Sequence, residues 1–358
     1  MRSTLRSRST ATLVAAAFAL AGCEPAASLP TTVDPVEMEA DVASFEAGFE
    51  SPAAESFTAV GFAMDDAIFG SGGLLRMPAM MITEGPSAPA LRFRERLRAV
   101  SNDEIASAIP LAALGKTFTY NITTDAYEIS ALTGAPANGV RFLLYALTLG
   151  GFVAEPLVQV GWVDVTRTSS GGALTGRIEI FGMAGTRVMD YSATVGGVPS
   201  APTFLVIGYA GLGAQRVDFR LTTGFSALSG ALSIIWQTDA LSRNARSRVQ
   251  LAIAGGDYPD ITIGAMLRAG VRKVEVSGTL DNTLDVYTGD LDVEIGDRPF
   301  AIIHVGAVDD TVTDENGDPL TVEDEETMLR IYWFFSNALS VYYILLLPLY
   351  TVLDLTFL

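Results

Sequence analysis

The chain holds 358 residues, with 23 basic against 41 acidic side chains, a formal net charge of −18, one histidine and one cysteine. So acidic a chain is repelled by polyanions, which argues against a nucleic-acid partner. One histidine excludes a two-histidine metal site, one cysteine excludes an internal disulfide, and with 49% hydrophobic residues the fold must be held by burial.

The first elements in chain order form an export signal. Arg2, Arg6 and Arg8 precede an apolar run, Ala11 to Leu20, that is too short to span a bilayer as a helix. Leu20-Ala21-Gly22-Cys23 follows directly. This segment resembles the lipobox signal peptide of bacterial lipoproteins. The resemblance implies that residues 1–22 are removed and that Cys23 becomes the acylated first residue, carrying palmitate-type chains that anchor the protein to a membrane. Removal of three arginines and no acid moves the formal charge from −18 to −21. Glu24 stands where inner-membrane retention uses Asp, so the expected location is the outer membrane of the bacterial envelope.

Residues 23–55 read as an acidic flexible tether: no basic residue follows Cys23 until Arg76, and a segment of one sign stays extended. Within it Val42, Phe45 and Phe49 fall at helical spacing, which predicts a short docking helix. Residues 56–115 form a small mixed or helical segment, with a second helical pattern over Pro52–Phe69. Arg92, Arg94, Arg96 and Arg98 would share one face of a strand there. They are a candidate anion-binding group, weighed against simple neutralisation of nearby acids.

From residue 116 to 322 the period changes to two. About fourteen runs alternate apolar with polar between Gly, Pro, Asn, Asp and Ser, more than an open twisted sheet carries without curling. No helical pattern separates them, so hairpins and an antiparallel sheet follow. Glycine recurs just before the apolar face in "TGRIEI", "SGALSI", "SGTLDN" and "TGDLDV", a means of bending a sheet. The expected fold is mainly β: a large curved antiparallel meander, a partial barrel or open half-barrel, with a hydrophobic C-terminal helix packed on it and short N-terminal helices. Such a shape resembles the half-barrel lipid carriers of the bacterial envelope.

The last segment, residues 323–358, opens with "EDEET", suited to a helix N-terminus, and continues through the uncharged Ile331–Leu353. That stretch is long enough to cross a bilayer. A concave apolar sheet needs a cover, however, and packing against it is the favoured reading over a membrane span or an outer-membrane strand.

Catalytic signals are sparse. Any triad depends on His304, which shares a strand face with Phe300 and Ile302 and is expected to be a hydrogen-bonded core residue. Ser226 lacks the closing glycine of a nucleophile elbow. The glycines of Val206–Val217 are followed by a strand pattern instead of a helix, so they make a hairpin turn and not a phosphate loop. Asp314, Asn316, Asp318 and Glu325 occupy positions one, three, five and twelve of a calcium loop, but Pro319 replaces the required glycine and Asn316-Gly317 signals a hairpin. Calcium is therefore a weaker reading than a plain turn between two strand flanks. The expected function is that of a non-enzymatic, lipid-anchored envelope protein that binds a lipid or other apolar ligand in its curved sheet. A surface scaffold or adhesion module is the alternative. A hydrolase using Asp164, Asp257 or Asp260 ranks last.

Overall fold

Alternation from Thr117 to Asp314 becomes fifteen strands of one sheet in the computed structural model. It describes residues 34–57, 109–148, 151–170, 173–198, 201–226, 228–254, 260–283, 286–306, 310–332, 334–335 and 345. The strands are β1 (Thr117–Asn121), β2 (Ala126–Ile129), β3 (Gly139–Tyr145), β4 (Gln159–Ser170), β5 (Ala173–Gly182), β6 (Arg187–Val198), β7 (Ala201–Ala210) and β8 (Val217–Phe225). They continue as β9 (Leu232–Ala240), β10 (Ala245–Ile253), β11 (Ile261–Ala269), β12 (Arg272–Thr283), β13 (Val286–Ile295), β14 (Arg298–Val305) and β15 (Thr311–Asp314). From β3 to β15 each strand pairs antiparallel with the next, and the sheet is open, ending at β15 and β2.

Three helices cover one face. In α1 (Pro35–Glu46), Asp34 caps the amides of Val36 and Glu37 at 3.1 and 3.3 Å, and Pro35 sits in the first turn, where its missing N–H costs nothing. Residues 52–57 form α2, started by Ser51 Oγ accepting from the Ala54 amide at 3.2 Å. Helix α3 begins at 322, where Thr321 Oγ1 accepts from the Asp324 amide and donates to its carboxylate. Met38, Val42, Phe45, Ala53, Ala54, Phe57, Met328, Ile331, Tyr332, Phe334, Phe335 and Leu345 of these segments are buried with the inward residues of the strands in one core.

The sheet curves around that cover. Tyr145 in β3 and Arg272 in β12 are nine inter-strand steps apart, about 43 Å across a flat sheet at about 4.8 Å per step. Yet Ser56 bonds the Tyr145 amide and Asp41 bonds Arg272. Those fifteen residues of mostly helical chain span about 23 Å at about 1.5 Å each. Only a concave sheet brings both ends within reach. Gly161 shows how close the approach is: a Cβ there would lie 3.1 Å from that of Ala53 and 2.0 Å from the Phe181 carbonyl.

Three expectations change. The segment 34–57 is no free tether, because α1 and α2 bury Met38, Val42, Phe45, Ala53, Ala54 and Phe57 in the core; what precedes it lies outside the described residues. The sheet is not wholly antiparallel, since β3 returns beside β1 in parallel and leaves β2 at the edge. The run Leu320–Val322 is not a strand: a single bridge, Thr313 to Pro319, precedes α3. Ile331, Tyr332, Phe334, Phe335 and Leu345 lie in the core, as the packed reading of the last segment expects, and among the described residues no helix is long and apolar enough to cross a membrane.

Candidate functional site

The concave face is lined by apolar side chains from strand to strand. Each strand sends every second side chain into it, as in β10, whose inward Ala245, Val249, Leu251 and Ile253 are at most 3% exposed. Cross-strand register joins such positions into lanes. One runs Gly176, Ala193, Val206, Leu221, Trp236, Val249, Ala265, Val276, Val293 and Ala301, crossing β5 to β14. Aromatic contacts tie cover to sheet: Phe49 stacks on Phe219 at 6.2 Å, Phe219 on Trp236 at 5.5 Å, and Phe57 meets Tyr191 edge-on at 6.5 Å. Phe45 of α1 meets Phe334 of α3 at 5.4 Å. The Tyr191 hydroxyl, which burial keeps protonated far above the usual range, donates to the Leu345 carbonyl at 2.8 Å.

Polar atoms are few inside. Thr223 Oγ1 and Ser247 Oγ are buried without a hydrogen-bond partner, as is Arg167 Nη1 on the same side of β4. At the rim, Asp41 of α1, with its side chain 1% exposed, receives Arg272 through two bonds of 3.0 Å and Arg243 at 2.8 Å. Glu37 binds the same two arginines. This cluster pins α1 across the ends of β9 to β12.

The convex face has the opposite character. Asp164, Glu179 and Asp190 stand directly opposite one another on β4 to β6, and Asp218 faces Asp239 on β8 and β9. Arginines in the row and beside it relieve the crowding. Arg141 grips Asp164 with two bonds of 2.7 Å, Arg177 and Arg187 share Glu179 and Asp190, and Arg216 holds Asp218. An open cleft of about 660 Å³ lies here, lined by Arg177, Asp190, Tyr209, Arg216, Arg220 and Asp239 among others.

The residues singled out from sequence scatter. Cys23, the arginines Arg92 to Arg98 and Asp257 lie outside the described residues. Asp314 turns its carboxylate onto the amides of Asn316 and Asp318 at 2.8 Å each, and Glu325 lies in α3. Among the described residues no group of three or more acidic, histidine or cysteine side chains converges as a metal site. Asp164 is occupied by Arg141, and Asp260 accepts from the Asn282 amide at 3.3 Å. His304 is hydrogen-bonded as expected but is not a core residue: its side chain is 38% exposed on the convex face. Its Nδ1 lies 2.7 Å from Asp290 and its Nε2 3.0 Å from Thr313. That is the order of hydroxyl, base and orienting carboxylate, but the trio stands in the open, with Asp290 66% exposed, where water competes for each bond. Sequence spacing could not announce these partners, nor the pairing of Asp41 with residues 202 and 231 positions away.

Comparison with known protein families, curated proteins and solved structures finds no match for this chain.

Proposed function

We propose that this is a non-enzymatic, lipid-anchored protein of the bacterial envelope that shelters an acyl chain between the concave sheet and its helical cover. The observation that carries the reading is the concave face itself. It is apolar over ten adjacent strands, while the acidic groups of those strands stand on the convex side or at the rim. A face that large buries a long hydrocarbon at about 25 cal/mol per Å². The unpartnered hydroxyls of Thr223 and Ser247 offer donors to an ester or head group, the kind of contact that fixes orientation in an otherwise apolar site. Attachment through Cys23 keeps such a protein at the membrane from which it draws its ligand.

Mass spectrometry of lipid extracted from the purified full-length protein tests this. The expected result is stoichiometric recovery of acylated molecules that survives delipidation and reloading. A protein that carries none, and whose melting temperature does not respond to added fatty acid, has a filled core. It would then be a scaffold.

A further inference from the structure

We infer that Arg167 is the head-group site for an anionic amphiphile, a single acyl chain ending in a carboxylate or phosphate; this rests on the acyl-binding reading above. Arg167 shares its side of β4 with Val163 and Val165, both fully buried. Apart from Arg272 at the rim and the exposed Arg298, which pairs with Ile295 at the start of β14, it is the charged residue on the concave positions of β4 to β14 among the described residues. On neighbouring strands Arg177 and Arg187 each have carboxylates within 3.1 Å. Arg167 has none, and its Nη1 is buried without any hydrogen-bond partner. Leaving a guanidinium N–H dry and unpaired is among the costliest arrangements a fold can keep, and an anion arriving there removes the cost.

The neighbours suit that arrival. Register places Gly176 directly beside Arg167 and Ala193 beyond it. Two small residues of the lane thus lie next to the cation. Val206, Leu221, Trp236 and Val249 follow on successive strands, each at most 2% exposed. Five inter-strand steps from Gly176 to Val249 give about 24 Å at about 4.8 Å each, the reach of an extended long acyl chain. Charge at one end and hydrocarbon along the rest is the pattern of an ionised fatty acid or a monoacyl phosphate. A planar fork of N–H donors recognises either group.

The test compares hexadecanoate, hexadecan-1-ol and monoacyl phosphatidic acid by calorimetric titration of the full-length protein in a non-ionic detergent. Wild type should bind at least one anion about tenfold or more tighter than the alcohol. Which anion wins distinguishes carboxylate from phosphate. R167L should bind anion and alcohol equally while its affinity for the alcohol stays that of wild type, and R167K should recover part of the preference. Without ligand, R167L should melt no lower than wild type, since a buried, unpaired N–H has been removed. Equal affinity of wild type for anion and alcohol overturns the assignment and leaves acyl binding intact. A sharp fall in melting temperature of R167L makes the residue structural and overturns it too. Failure of all three ligands overturns acyl binding itself.

Discussion

On β10, Ala245, Ser247, Val249, Leu251 and Ile253 face inward at 3% exposure or less, while Arg246, Arg248 and Gln250 alternate with them and are exposed. The inward side tolerates almost nothing but hydrocarbon, because side chains there are shielded from water and truncating one forfeits buried apolar surface. The outward side tolerates like charges directly opposite one another, provided that arginines in or beside the row reach them. Arg246 lies opposite Arg268, which lies opposite Lys273, just as acids face acids a few strands away. Geometry is common to the two sides; solvent separates them. A stability effect should therefore be decided by the face on which a substitution falls.

Phe142 and Arg246 make the widest contrast. Phe142 is fully buried, stacked on Phe118 at 4.7 Å and edge-on to Tyr127 at 5.3 Å. Phe142→Ala should cost about 3–5 kcal/mol in denaturant unfolding. Arg246 holds Asp239 at 2.5 Å but is 64% exposed, and Arg246→Ala should cost no more than about 1 kcal/mol. Comparable losses at the two positions would erase the distinction between the faces.

The rim is where the two regimes meet. Asp41 is buried, but both of its arginines remain partly open to water. Asp41→Ala leaves two half-buried cations facing each other, and an expected loss of about 3 kcal/mol follows from the broken pair. Adding Arg243→Met and Arg272→Met should recover much of it, since the pair rather than the charge is what the site requires. If the triple variant is as unstable as the single one, α1 is held by something other than this cluster.

The two faces also differ in how much of them could be read from the chain. Fourteen of the fifteen strands were marked by alternation alone, because burying one side of a strand forces period two, as "ARSRVQLAI" does in β10. β15 was visible only as a flank of the Asn316-Gly317 turn. The parallel pairing of β1 with β3 was not legible, since it depends on where the chain returns, and Ser130–Asn138 carries no period that says so. The concave site was legible only as an apolar face that needs a cover. Arg167 looked like one more polar residue in "DVTRT", and its isolation emerges only when five strands are laid side by side. His304 shares its side of β14 with Phe300 and Ile302, but that side is the convex one and both neighbours are only partly buried, so the apolar spacing does not signal a core position.

Acid should act on the convex face before the concave one. Burial pushes the Asp190 carboxyl up, but bonding to Arg177 and then to Arg187 outweighs it and holds the group below the ordinary aspartate range. A depressed value means that the pairing stabilises the fold above the unfolded aspartate value of about 3.9 and loses that contribution as pH falls through the lower folded value. Stability measured from about pH 6 to pH 2 should therefore fall more steeply in wild type than in Arg177→Gln/Arg187→Gln, and the two curves should converge in acid. Parallel curves would mean that the arginines do not stabilise the charged form of Asp190.

The smallest expected effect belongs to calcium at the β15 turn. The carboxylate of Asp314 is held below its usual range by the Asp318 amide first, despite some desolvation, and then by Asn316 and Gly317. Its oxygens are thus engaged with the turn's own N–H groups, and Glu325, the residue that would complete a calcium loop, has its amide bonded to the Thr321 carbonyl inside α3 at 2.9 Å. Binding a cation would require the turn to release those donors and the first turn of the helix to unwind, a cost that a solvent-exposed loop has little means to offset. Millimolar calcium should leave the melting temperature unchanged, and Asp314→Ala should lower it slightly, with or without the ion, by loosening the turn. A calcium-dependent rise that disappears in both Asp314→Ala and Glu325→Gln would show that the hairpin opens to take the metal.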